Sequence, residues 1–363
     1  MTNRENFFHV INGGEPEKIP FTLSLCESLL EKYKIKYGAD DYNAVFDIPF
    51  RNVVILPSRN PIDYSPFFRE SEIDYFDEYG VGYKKGSVAH FARFISPMRD
   101  FTTAEQVRAF PMNDFLADYR WENLAREIKA LKEDDKIAVA FGPAIQIFEP
   151  AWYLRGMENF LCDMLDDEEI AEACLERLTV VKCEIARRYA QAGADVIVYG
   201  DDVGTERGMM IDPETWRKWL KPRLKKAITA AKDANPQVLC YYHSDGDIRL
   251  IIDELIECGI DILNPVQPEC MDTAEIYRQY HDRISLWGCI GTQTTMPFGT
   301  VSDVKRKTLE LINMCRENGR LVLAPTHLLE PEVPLENLEA FVDAIKEFER
   351  DKIRIDTIKD EYE

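Results

Sequence analysis

A chain of 363 residues, 45% hydrophobic and 11% aromatic, can bury a large core and fits either one large α/β barrel or two to three smaller domains. Its 44 Lys and Arg against 65 Asp and Glu give a net charge of −21, which opposes nucleic acid and anionic membrane surfaces as partners. Nine cysteines without a C-x-x-C pair, no long apolar run and a polar start at Met1-Thr2-Asn3-Arg4 predict a reducing, cytoplasmic location without export.

In chain order, Pro20-Phe21-Thr22-Leu23-Ser24 reads as a first strand, and a second is expected within residues 43–56. Residues 70–100 carry Tyr75, Phe76, Tyr79, Val81, Tyr83, Phe91 and Phe94 around glycine turns, which predicts a β-hairpin excursion serving as a lid or as a cover for the barrel bottom. From Lys136 onward short apolar runs recur: Ile137 to Phe141, Asp195 to Tyr199, Val238 to Tyr242, Asp261 to Leu263, Ile284 to Trp287 and Leu321 to Ala324. Runs this short and this uniformly apolar are what buried parallel strands require. Between them Pro213 to Lys232, Asp247 to Cys258, Val301 to Asn318 and Leu335 to Lys352 read as amphipathic helices. Alternation without a composition break, and without a Gly-x-Gly-x-x-Gly or Walker A turn, predicts a single (β/α)8 barrel domain over residues 1–363.

Barrel chemistry sits where strands end. There the chain supplies Gln146 and Glu149, then Asp201, Asp202 and Glu206, then His243 and Asp245, then Asn264 and Gln267, then Cys289 and Gln293, and finally His327. Tyr242-His243-Ser244-Asp245 is the most specific run, because residues two apart in a strand point the same way and can aim an imidazole and a carboxylate at one atom. A core histidine followed by a helix cap would look similar. Of the five histidines, His9, His90, His243, His281 and His327, only His243 and His327 follow predicted strands. With Asp245 they form either a three-ligand metal site, zinc being the expected ion, or a metal-free acid-base set.

At these residues the chain resembles the uroporphyrinogen decarboxylase superfamily, and within it the corrinoid-linked methyltransferases. The resemblance covers roughly residues 141–348. It rests on Ala192-Gly193-Ala194-Asp195 with Asp201-Asp202, on His243-Ser244-Asp245-Gly246, on Gly259-Ile260-Asp261 through Asn264-Pro265-Val266-Gln267, on Trp287-Gly288 through Gln293, and on Leu323-Ala324-Pro325 with Pro334-Leu335-Glu336-Asn337. It implies a TIM barrel with its site at the C-terminal mouth. The decarboxylases carry arginines in an N-terminal Arg-Gln-Ala-Gly-Arg segment, whereas Pro20 to Cys26 has none, so porphyrinogen decarboxylation is not expected. The family's thiol methyltransferases bind zinc through His-x-Cys and a distant Cys. Here Asp245 stands at the first Cys and His327 at or near the second, a harder ligand set suited to an oxygen leaving group.

The resemblance therefore implies methyl transfer from a small methylated substrate, an aryl methyl ether first of all, to the cobalt(I) of a separate corrinoid protein. His243, Asp245 and His327 would hold zinc or donate the proton. Asp201, Asn264, Gln267, Cys289 and Gln293 would contact the substrate, with Tyr199, Tyr241, Phe148 and Trp152 as an aromatic wall. The alternatives are a zinc-dependent methylcobalamin:thiol methyltransferase and a non-catalytic binding protein on the same barrel.

Overall fold

The computed structural model describes residues 1–69, 73–86 and 92–360, with side chains as far as 350. His90 and Phe91 lie outside the described residues, as do 70–72 and 87–89 of the expected excursion. Twelve strands occur in chain order among the described residues: β1 (Phe50–Val54), β2 (Tyr75–Phe76), β3 (Gly82–Lys85), β4 (Ala92–Ile95), β5 (Ile137–Ile145), β6 (Val196–Gly200), β7 (Gly204–Thr205), β8 (Gly208–Met209), β9 (Leu239–His243), β10 (Ile262–Asn264), β11 (Ser285–Ile290) and β12 (Leu321–Pro325).

Seven of them form one parallel sheet in the order β1-β5-β6-β9-β10-β11-β12. An eighth stave is residues 20–25, which bridges in parallel to Leu323 and Leu329 beyond it. Thr22 N donates to Leu323 O at 2.9 Å, and Leu323 N returns a bond to Pro20 O at 2.9 Å. The sheet thus curls into the expected (β/α)8 barrel. On its other side the first stave makes no backbone hydrogen bond to β1 among the described residues. Beside that seam the Tyr42 hydroxyl donates to Leu23 O at 3.2 Å.

Strands β6, β11 and β12 are buried along their whole length because helices cover the sheet outside and aromatic rings pack against it inside. Trp287 meets Phe50 at 4.8 Å and Tyr241 at 5.3 Å between ring centroids. Outside, helix Glu168–Ala192 begins on Asp167, whose carboxylate accepts from Ile170 N, and ends at Gly193 in the left-handed region. The stretch expected as one helix from Pro213 is two, Pro213–Trp219 and Lys221–Ala234. Pro222 explains the break, since a proline is tolerated only in the first turn of a helix.

The N-terminal helix Asn3–Ile11 closes the barrel bottom. Arg4 pairs with Asp195 just before β6 (Nη1 to Oδ2, 2.5 Å), Arg320 N before β12 donates to Val10 O, and the Ser285 hydroxyl at the start of β11 donates to Ile11 O. The excursion is a three-stranded antiparallel sheet, β2-β3-β4. It does not cover the bottom. Phe94 packs on Trp152 and Tyr153 of helix Phe148–Arg155, which follows β5 at the mouth side.

Candidate active site

A cavity of about 820 Å³ occupies the barrel interior and opens toward the C-terminal strand ends. Phe50, Phe141, Tyr241 and Trp287 supply aromatic wall, while His243, Asn264 and His327 supply polar groups. Phe141 is 54% exposed at the rim.

Strand pairing fixes which side chains converge. Gly200 pairs with His243 and Val198 with Tyr241, and residues paired across a parallel ladder point to the same face. Counting two onward from each pair sets Asp202 beside Asp245. One oxygen of each carboxylate and a nitrogen of His243 lie within 4.8 Å of one another. His243 Nε2 is 3.6 Å from Asp202 Oδ1 and 3.9 Å from Asp245 Oδ1.

The imidazole is held from behind. Asn264 Nδ2 donates to Trp287 O at 2.6 Å, so its Oδ1 is left to accept, and His243 Nδ1 lies 2.6 Å from that oxygen. The proton is therefore assigned to Nδ1, and the Nε2 lone pair faces the carboxylates. Asp245 is half-buried, its Oδ1 sealed from solvent without a hydrogen-bond partner. Burial raises its carboxyl pKa, with His243 and His327 pulling the other way. An outward imidazole lone pair beside an orphaned carboxylate oxygen fits a divalent cation, because both would otherwise be desolvated without compensation.

The loops carrying these ligands pass unusually close. A Cβ on Gly246, whose φ is +83°, would stand 2.5 Å from the Gly204 carbonyl carbon, and one on Gly204 would stand 2.5 Å from Asp245 O. Gln267 accepts from Gly246 N at 2.7 Å, and Asp202 Oδ1 accepts from Asp245 N at 2.8 Å. Behind Asp202, Gln146 donates to Glu149 Oε2 at 2.6 Å. Burial, followed by Asp201 and Asp202, pushes the Glu149 carboxyl up to about 8.

Several expected contacts fall elsewhere. His327 lines the same cavity but is exposed and lies outside the converging set. Its strand is three removed from β9, whereas Asp202 follows the strand next door. Asp201 points away from the cavity and accepts from Ile147 N and Glu149 N, fixing the start of the following helix; burial pushes its carboxyl to about 7. Tyr199 borders the cavity but turns its hydroxyl outward, 3.5 Å from Ala227 O. Phe148 is buried against Phe160, and Trp152 stacks with Tyr153 and Phe94, so neither lines the cavity. Gln267 braces the Asp245 loop, Cys289 is buried in β11, and Gln293 is exposed beyond it. None of these three lines the cavity.

Residues 79–348 match the uroporphyrinogen decarboxylase (URO-D) family. Over 195 residues the chain is 28% identical to the methylcobamide:CoM methyltransferase MtaA of Methanosarcina barkeri, and 27% identical to the protein of that name from strain Fusaro / DSM 804. The aligned region is 54% of either sequence, so the chain spans about half the length of the curated relatives it matches. A solved methyltransferase from Methanosarcina mazei superposes with a TM-score of 0.69 at 18% identity, over 96% of this chain and 99% of that one, and so shares its fold.

Proposed function

The chain belongs to the uroporphyrinogen decarboxylase family, and from that premise we propose that it is a corrinoid-dependent methyltransferase taking a methyl group from a small aryl methyl ether to the cobalt(I) of a separate corrinoid protein. The observation that carries this reading is the convergence of Asp202 and Asp245 on His243, which lines an aromatic cavity, with no thiol among the three. Kinship with proteins named as methylcobamide methyltransferases supports the corrinoid half. The hard oxygen and nitrogen donors support the ether half.

In the reaction cobalt(I) attacks the methyl carbon, the carbon–oxygen bond breaks, and the oxygen departs with the electron pair. An aryl oxide leaves poorly unless its charge is met in the transition state. A divalent ion, zinc being the first expectation, would be held by Asp202, His243 and Asp245 and would supply Lewis acidity there. Asn264 keeps His243 in the ligating tautomer. His327, on the same cavity, is assigned delivery of the proton to the departing oxygen. Tyr241, Trp287 and Phe141 offer the ring an apolar wall.

The relatives' name favours one other reading, methyl transfer from methylcobalamin to a thiol. One experiment separates the two. Under anaerobic conditions a panel of methoxylated aromatics with cob(I)alamin should convert the cobalt(I) spectrum to that of methylcobalt(III). No conversion across the panel, with ready methylation of a thiol by methylcobalamin, would reverse the assigned direction.

A further inference from the structure

The cavity wraps around the edges of two neighbouring staves. Successive residues of an extended strand point to opposite faces, yet three in a row, Leu23 flanked by Thr22 and Ser24, line the cavity, as do Phe50, Arg51 and Asn52. The two staves face each other across the seam without backbone hydrogen bonds between residues 20–25 and β1, and the cavity borders both of its edges. Outside the seam stand Tyr42 and Asn43 of the short helix Tyr42–Val45, which also line the cavity.

Arg51 is at this opening. Its Nη1 donates to Ile48 O and Phe50 O at 2.6 and 2.8 Å, which fixes the guanidinium in place. It forms no ion pair with a carboxylate among the described residues, and no other Arg or Lys lines the cavity. In a chain of net charge −21 a fixed cation facing a cavity without an acidic neighbour is out of pattern. A guanidinium with one edge anchored on carbonyls presents its remaining N–H groups as a fork, whose natural partner is a planar oxyanion.

We propose that the seam is a side port into the cavity and that Arg51 at its rim anchors the carboxylate of a small aromatic substrate. This deepens the proposed function and rests on it for the methyl group, since the ring would lie between Arg51 at one end and His243 at the other. The port would let such a molecule enter while a corrinoid partner covers the mouth.

The test uses binding, which needs no turnover. Benzoate, 4-methoxybenzoate and methoxybenzene are titrated calorimetrically into the full chain. Benzoate and 4-methoxybenzoate should bind, and Arg51→Gln should weaken both tenfold or more without changing methoxybenzene. Arg51→Lys keeps the charge without the fork and should weaken them several-fold, which serves if the glutamine variant does not fold. Asn43→Trp, filling the outer face of the seam, should slow benzoate association at least tenfold in stopped flow. Failure of benzoate to bind the wild type, or equal losses for charged and neutral ligands, overturns the anchor; an unchanged association rate overturns the port. Arg51-dependent benzoate binding in a protein that demethylates nothing would refute the methyl-transfer reading and leave this inference standing.

Discussion

His243 gives one ring nitrogen to Asn264 and turns the other toward two carboxylates. That division of labour predicts what each neighbour's loss does. Asp202→Asn removes an anionic donor from the converging set and should empty the metal site of anaerobically purified protein, read by elemental analysis after zinc loading. His327→Ala should leave metal content unchanged while abolishing methyl transfer. The opposite pattern would restore His327 to the ligand set. Asn264→Ala frees the imidazole to rotate or change tautomer, and should weaken metal affinity by about 10–100-fold in chelator competition, the usual effect of losing a ligand's hydrogen-bond partner. His243 and Asp245 were legible as a pair because strand parity acts within one run of sequence. Asp202 was visible only as half of Asp201-Asp202, and which of the two turns toward His243 depends on the register of β6 against β9, a tertiary fact. Parity also explains why Tyr199 faces a helix while Tyr241 faces the cavity.

Two loops, after β6 and after β9, hold the ligands at the right separation, and Gly204 and Gly246 let them touch. Gly246→Ala would force a left-handed residue and drive a Cβ into backbone, so a loss of about 1–3 kcal/mol in stability is expected. The same variant should lose metal affinity, because the clash moves the backbone beside Asp245. Gly208→Ala is the control: its φ is +142° but nothing lies within 4 Å, so strain appears without displacement of the ligands. Unchanged metal affinity in Gly246→Ala would show that the close approach does not set the site. All six barrel strands after Lys136 were readable from apolar runs bounded by Gly, Pro or polar residues, although β5 runs on through Gly142-Pro143 to Ile145 and the short pair β7-β8 was not foreseen. The first stave and the excursion were readable as elements, but the stave is held by only two bridges and the excursion packs through aromatic contacts, and the local pattern does not say against what either packs.

Asp195 belongs to one of the runs on which the family resemblance rests, yet it sits at the opposite end of the barrel from the chemistry. It is 4% exposed, and its carboxylate accepts from both Arg4 Nη atoms and from Ala138 N, with Lys132 Nζ at 3.1 Å. One side chain thus joins the N-terminal helix, β5, β6 and the helix Leu124–Glu133 across the barrel bottom. A stabilising role at the end away from the strand termini is what barrel anatomy assigns to that face. Asp195→Ala would leave a buried amide and two cations without their acceptor. Breaking a buried pair from one side costs about 3–5 kcal/mol, discounted here to about 2–4 because Arg4 and Lys132 are partly solvated. Denaturant unfolding should show a lower midpoint, while metal affinity at the far mouth stays near wild type. Asp195→Asn, which can still accept from Ala138 N, should recover part of the loss. A stable Asp195→Ala protein that had lost metal binding would instead mean that the bottom of the barrel governs the geometry of its mouth.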